Sequence, residues 1–108
     1  MEFRRMRCVP CEGGVKPMSQ LEARRNLKSV SGWKLARKAI TKSVKLKDFK
    51  NAIRLVNRVA AIAEKEGHHP DISIYDYRNV KFTLTTHAIS GLSRNDFIMA
   101  AKIDSVRM

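Results

Sequence analysis

The three histidines of this 108-residue chain are the side chains best suited to proton chemistry. His68 and His69 are adjacent and stand directly before Pro70, whereas His87 lies further along the chain, after a strand-like pattern. An imidazole has an ordinary pKa of about 6.5, so it can donate or accept a proton near neutral pH. Two such rings in one pocket can therefore serve as a general acid and a general base.

A predicted β-hairpin explains how these histidines could meet. Apolar and polar residues alternate over residues 72–75 and again over 80–85, which is typical of strands with one buried face. The intervening residues 76–79 are typical of a turn. Because a hairpin brings its two ends together, we expect His87 to lie beside His68 and His69. The sequence therefore predicts one histidine-rich site.

A metal site is the competing interpretation of three histidines. Three imidazoles and a water molecule are the ligands of many catalytic zinc ions. However, neighbouring side chains in an extended segment point in opposite directions, so His68 and His69 would have difficulty reaching one ion. We therefore expect no metal here, and the residue types alone leave the reaction open.

Three helices are predicted around the strands. The capping-box spacings Ser19-Gln-Leu-Glu22 and Ser93-Arg-Asn-Asp96 predict a first helix from residue 19 to about residue 30 and a final helix that runs to the C-terminus. The middle helix is predicted over residues 48–66 and ends at Gly67. The expected buried residues are Leu21, Ala23 and Leu27 in the first helix, and Phe49, Ile53, Val56, Ala60 and Ala63 in the middle one.

The order of these elements predicts an α+β fold. A first hairpin is expected over residues 33–46, with its turn around residues 38–42. Helix, two strands, helix, two strands and helix then give a four-stranded antiparallel sheet with three helices packed on one face. Residues 19–108 are predicted to form this domain, and residues 1–18, with two prolines and two glycines, an irregular arm.

All of the net charge of +12 comes from residues 1–58, because basic and acidic residues balance over 59–108. Such a positive field can attract nucleic acid, an anionic membrane or an acidic protein. We expect a solvated surface instead, with nucleic acid unlikely as a partner. No apolar stretch approaches the roughly 20 residues that cross a bilayer, so no membrane association is expected.

The first residues of the chain bear on its location. No apolar run follows Arg4, Arg5 and Arg7, so no secretory signal is predicted and the cytoplasm is the expected location, although a trimmed organellar leader would also fit. Cys8-Val-Pro-Cys11 has the spacing of half a zinc site or of a redox pair. No second such pair exists, and we expect two reduced thiols.

The chain resembles the pterin-4a-carbinolamine dehydratases from about Cys8 to Ile103. The pattern of that family is a Glu, three residues, His-His-Pro, an aromatic, nine residues, a His and a downstream Asp. It is met by Glu64, His68-His69-Pro70, Tyr77, His87 and Asp96. The opening Cys8-Val-Pro-Cys-Glu-Gly-Gly14 is also similar to that of many bacterial and plant members.

This resemblance implies a lyase without a cofactor that dehydrates 4a-hydroxytetrahydrobiopterin, the product of aromatic amino-acid hydroxylases, to quinonoid dihydropterin and water. It implies that His68, His69 and His87 are catalytic, with His68 and His87 as the acid/base pair and His69 holding the pterin. The implied substrate-binding residues are Glu64, Gly67, His68, His69, Thr85, Thr86, His87 and Ala88. Members of the family form homodimers and homotetramers, which we expect here as well.

The alternative function is that of a dehydratase-like, non-catalytic binding module. Some relatives act as assembly factors or as transcriptional coactivators. Gly67 and Ile72 also stand where some animal members have an acidic residue and a tryptophan. Because non-catalytic branches tend to lose one of the histidines and this chain keeps all three, the resemblance favours the enzyme.

Overall fold

A four-stranded antiparallel sheet forms the centre of the fold. In the computed structural model, which describes residues 2–10 and 15–107, the strands are β1 (Lys34–Ala36), β2 (Ala39–Lys45), β3 (Asp71–Tyr75) and β4 (Asn79–Leu84). Their order is β1-β2-β4-β3, so β4 is paired on both sides. Positive φ angles mark the two tight turns, at Arg37 in the first hairpin and at Asp76 and Tyr77 in the second.

The helices are α1 (Gln20–Leu27), α2 (Phe49–Glu66) and α3 (Arg94–Asp104), and their order among the strands confirms the predicted α+β fold. At the start of each, the side chain of Ser19, Asp48 or Ser93 accepts a hydrogen bond from a backbone N–H that the helix itself leaves unpaired. No helix in the described ranges is long and apolar enough to span a membrane.

The hydrophobic core lies between one face of the sheet and the helices. Val80, Phe82 and Leu84 of β4 are fully buried, and Ile40 of β2 is paired with Leu84 on the same face. Helices α2 and α3 both contact β4 there. Burying one such side chain contributes about 1.5–3 kcal/mol. The other face carries exposed polar residues in register, namely Ser43, Lys81 and Ser73.

The buried stripe of α2 differs from the predicted one. Ala63 is buried as expected, but Phe49 is 53% exposed, and Ile53 and Ala60 are exposed as well. The helix buries Ala52, Leu55, Val59 and Ala63 instead. Apolar residues cover more than half of the circumference of this helix, so periodicity alone could not tell which stripe faces the sheet.

One further burial prediction was wrong, and the first turn lies at one edge of its predicted interval. Leu21 of α1 is exposed rather than buried. The first hairpin turns at residues 37–38, earlier than most of the predicted interval, because β2 already begins at Ala39. Both differences lie in short, polar segments whose sequence pattern is weak.

The first residues of the chain pack against α3. Phe3, in a single 3-10 turn over Phe3–Arg5, is buried with its ring centroid 5.8 Å from that of Phe97. The Lys102 side chain donates a hydrogen bond to the Arg4 carbonyl oxygen at 2.9 Å. Residues 2–10 are thus held on the domain, whereas Cys11, half of the cysteine pair, lies outside the described residues.

Candidate active site

One cavity brings the predicted histidines together. It has a volume of about 260 Å³ and lies where α2 and β4 end and α3 begins. This volume is just below the roughly 300–1,000 Å³ of typical small-molecule sites, which suits a ligand at the small end of that range. Seven of the eight residues expected to bind substrate line it, namely Gly67, His68, His69, Thr85, Thr86, His87 and Ala88.

Local backbone geometry explains this convergence. Gly67 ends α2 with a left-handed conformation, φ +68°, which costs little for a residue without a Cβ. The chain then passes through His68 and His69 into β3, whose first residue, Asp71, is paired with Thr83 of β4. The end of β4 therefore lies beside the end of α2, and His87 follows in a 3-10 turn.

His68 is held by a buried carboxylate. Its Nε2 atom lies 2.6 Å from Oδ1 of Asp96, and the two side chains are 12% and 0% exposed. The other carboxylate oxygen, Oδ2, accepts hydrogen bonds from the Thr86 hydroxyl at 2.8 Å and from the Ser93 backbone N–H at 2.9 Å. The segment that follows β4 and the N-cap residue of α3 thereby fix the carboxylate that orients the His68 ring.

His69 is held by an exposed carboxylate. Its Nε2 atom lies 2.6 Å from Oε2 of Glu64, in the last turns of α2, and these side chains are 60% and 77% exposed. Glu64 does not line the cavity itself, and among the described residues its carboxylate contacts the site through His69. An exposed pair of this kind is worth about 0–1 kcal/mol. Glu64 can orient the ring without locking it.

His87 has no comparable support. Its side chain is exposed, and none of residues 2–10 and 15–107 forms a hydrogen bond or ion pair with it. Two imidazoles of the cavity are therefore positioned by carboxylates, and the third, that of His87, is exposed without such a contact in the described residues.

The adjacent His68 and His69 side chains bond to two different carboxylates, which agrees with the divergent directions of neighbouring side chains. In the part of the chain that the structure describes, no group of three or more His, Cys, Asp or Glu side chains is arranged to hold a metal ion.

Three lining residues were not among the predicted site residues. Val9 and Pro10 come from the arm, and Asn95 comes from the first turn of α3. The arm lacks any periodic pattern, so nothing in its sequence indicated that it would reach the histidines. The one available signal was the place of Asn95 directly before Asp96, the aspartate of the family pattern.

Known protein sequences resemble this chain over most of its length. A sequence profile described as Pterin 4 alpha carbinolamine dehydratase matches residues 16–106. A protein of Halorhodospira halophila, whose name assigns that activity provisionally, is 46% identical over 102 residues and covers 92% of each chain. Pterin-4-alpha-carbinolamine dehydratase 2, mitochondrial, of Arabidopsis thaliana is 42% identical over 107 residues, which are 94% of this chain and 57% of the plant protein.

Solved structures share the fold. The crystal structure of a transcriptional coactivator/pterin dehydratase from Brucella melitensis matches with a TM-score of 0.77 and 34% identity, covering 83% of this chain and 97% of its own. A pterin dehydratase-like protein identified as a RuBisCO assembly factor in the alpha-carboxysome matches with a TM-score of 0.58 and 19% identity, over 68% of this chain and 87% of its own. At that identity the second likeness supports the fold alone.

Proposed function

Because the chain belongs to the pterin-4-alpha-carbinolamine dehydratase family, we propose that it converts 4a-hydroxytetrahydrobiopterin to quinonoid dihydropterin and water. This lyase reaction would recycle the pterin cofactor of aromatic amino-acid hydroxylases. The observation that carries the proposal is the single cavity lined by His68, His69 and His87. The reaction as proposed needs only proton transfers, which imidazoles can perform without a cofactor.

The proposed chemistry breaks the bond between C4a and its hydroxyl oxygen. One imidazole gives a proton to the departing oxygen, which leaves as water, and another accepts the proton of N5 as the N5–C4a double bond forms. We assign these roles to His68 and His87 as a pair. General acid–base assistance of this kind is typically worth about 10²–10⁴-fold in rate.

The remaining site residues are proposed to bind the pterin ring. His69, oriented by Glu64, would contact it at the open side of the cavity. The hydroxyl groups of Thr85 and Thr86 already donate to the Lys38 carbonyl oxygen at 2.6 Å and to the Asp96 carboxylate at 2.8 Å. These two residues would therefore meet the substrate through backbone and methyl groups.

A turnover assay tests the proposal. Purified protein is added to freshly prepared 4a-hydroxytetrahydropterin, and the rate of water loss is compared with that in buffer. We expect clear acceleration by the wild type and about a hundredfold lower activity for His87→Ala, whose circular dichroism should be unchanged because the side chain is exposed. A wild-type rate equal to that of buffer would refute the dehydratase.

We also propose that the chain forms a homodimer or homotetramer. The large apolar side chains of Phe49 and Ile53 are exposed on the same face of α2, with Val56 beside them. Exposed apolar clusters of this kind commonly mark protein interfaces. Phe49→Asp should shift the mass measured by light scattering toward the monomer, whereas Lys50→Asp, at the neighbouring position, should not. A wild type that is already monomeric would contradict the proposal.

The cytoplasm stays the proposed location. The mitochondrial name of the Arabidopsis relative makes an organelle the alternative, and fractionation of cells that express the full-length protein separates the two.

Binding of an anionic protein segment is a second candidate function. A groove of about 630 Å³ lies between α2, α3 and the arm, away from the histidines. Five cationic side chains surround the apolar residues Ala61, Ile62 and Val106, and these are Arg4, Arg58, Lys65, Lys102 and Arg107. The one carboxylate among the lining residues is that of Glu66, which is only 3% exposed and lies 3.8 Å from Nζ of Lys102. Cations around an apolar floor suit an acidic peptide with an apolar side chain better than a nucleic-acid backbone.

Salt dependence and charge reversal test this second function. A labelled peptide of alternating Glu and Leu should bind at about 50 mM salt and weaken steeply at about 500 mM, as charge-driven association does. Arg58→Glu should abolish binding while pterin turnover is retained. Equal binding by Arg58→Glu would eliminate the groove, and tighter binding of a DNA duplex than of the peptide would replace the protein partner with nucleic acid.

A further inference from the structure

The arm supplies one wall of the candidate active site. Val9 and Pro10 line the same cavity as the three histidines, although they are separated from them by more than half of the chain. Both side chains are apolar, and Val9 is 64% exposed although its backbone is held. A flat heterocycle between this wall and the imidazoles would cover that exposed apolar surface.

Asn95 holds the backbone of Val9, the middle residue of segment 8–10, which we call the wall. Its side-chain oxygen accepts a hydrogen bond from the Val9 N–H at 3.0 Å, and its Nδ2 donates to the Val9 carbonyl oxygen at 2.6 Å. The amide thus bonds to both backbone groups of one residue, as a neighbouring strand would. Asn95 is buried, and it directly precedes Asp96, which holds His68. One turn of α3 therefore positions both the His68 ring and the Val9 backbone.

Glu66 holds the backbone of Cys8, the first residue of the wall. Its carboxylate accepts a hydrogen bond from the Cys8 N–H at 2.8 Å and lies 3.0 Å from Nε of Arg7. The Glu66 side chain is only 3% exposed and stands one residue before Gly67, which ends α2. Two independent anchors thus fix residues 8–10 next to the cavity.

We propose that residues 8–10 are a substrate-binding wall and that Asn95 is the positioning residue that sets its place. The identity of the ligand, a pterin, rests on the proposed function. The Val9 and Pro10 side chains carry no group that can transfer a proton, so loss of the wall should weaken pterin binding without slowing the chemical step. KM should then change while kcat is retained.

Three variants test this division. Asn95→Ala releases the wall, and Val9→Gly removes its apolar side chain at an exposed position where unfolding is not expected. Asn79→Ala is the matched control, because Asn79 also donates to a backbone carbonyl, that of Tyr75, at the far end of β4. We expect both wall variants to raise KM about fivefold with kcat within about twofold, and the control to leave both constants unchanged.

A second measurement follows the wall without using activity. Alkylation of Cys8 by iodoacetamide, resolved by peptide mass spectrometry, reports how often residues 8–10 leave the domain. Asn95→Ala should raise the rate about tenfold, since two hydrogen bonds of ordinary strength are lost. Adding 7,8-dihydropterin should slow alkylation of the wild type, because a bound ring closes against the wall.

The outcomes distinguish a failure of the wall proposal from a failure of the proposed dehydratase function. An active wild type whose KM is unchanged by both wall variants overturns the inference and leaves the enzyme intact. A wild type without turnover refutes the function, and the wall is then judged by dihydropterin alone: protection of Cys8 supports it and absence of protection overturns it.

Discussion

The candidate site has an inner half, His68 with Asp96, and an outer half, His69 with Glu64. The two halves make the same contact in two different environments. His68 and His69 each place Nε2 2.6 Å from a carboxylate oxygen, that of Asp96 in one case and of Glu64 in the other. The inner pair is almost fully buried and the outer pair is mostly exposed. A contact of equal length is far stronger where water cannot screen it.

The surroundings enlarge this difference. Asp96 is fixed by Thr86 and by the first turn of α3, so His68 is coupled to the packing of the domain. Glu64 has no partner in the described residues other than His69, and both side chains can reorient at the surface. The inner half therefore holds its imidazole firmly in place, and the outer half allows its imidazole to reorient.

Removing the inner carboxylate should have the largest effect. Asp96→Asn keeps the size of the side chain but replaces one acceptor oxygen with a donor, which leaves His68, Thr86 or the Ser93 N–H without a proper partner. We expect a loss of about 2–4 kcal/mol in the free energy of unfolding, measured in urea, and at least about a tenfold lower kcat. An unchanged urea midpoint would show that the buried carboxylate does not stabilise the fold more than the exposed one.

Glu66 is a third carboxylate near the site, and it is buried like Asp96 but holds the arm instead of a histidine. Burial alone would raise its pKa, but the Cys8 N–H and the nearby charges of Arg7 and Lys102 outweigh burial and lower it. Its stabilisation should therefore be complete above the ordinary pKa of 4.5 and be lost as pH falls below that value.

Glu66→Gln should thus lower stability by about 1–3 kcal/mol at neutral pH and make the unfolding free energy less dependent on pH below pH 4.5. Denaturant unfolding at pH 7 and at pH 3.5 measures both effects. A variant that keeps the full acid dependence of the wild type would show that another carboxylate causes it. Glu22→Gln, at an exposed position in α1, is the control.

Removing the outer carboxylate should have the smallest effect. Glu64→Gln should change the free energy of unfolding by less than about 0.5 kcal/mol, because the pair is solvated. We expect KM for the pterin to rise about two- to threefold while kcat is retained, since the His69 ring is less well oriented. A stability loss as large as that of Asp96→Asn would mean that burial does not separate the halves.

The fold could be predicted from the sequence wherever a residue pattern was compatible with only one arrangement of strands or helices. Alternation in β3 and β4 and the turn between them specified the second hairpin, and Gly67 specified the end of α2. The buried stripe of α2 could not be chosen in this way, because Phe49 and Leu55 belong to competing apolar stripes. Only the position of the sheet decides between them.

The candidate site was predictable as far as it depends on this hairpin. The convergence of His68 and His87 follows from pairing β3 with β4, whereas the roles of the site residues stay predictions. The contact between Asn95 and the arm could not be predicted, because single hydrogen bonds between a side chain and a distant backbone leave no periodic signal. The sequence offered one signal for Asn95 itself, its place directly before Asp96. The contact with the arm depends on how the arm lies across α3.

The most direct test of the account is the single-turnover rate of pterin dehydration in a double-mutant cycle of His68→Ala and His87→Ala. If both rings act in one proton-transfer step within one cavity, each single variant should lose about a hundredfold and the double variant little more. Losses that multiply in the double variant, or single variants as fast as the wild type, would contradict a shared site.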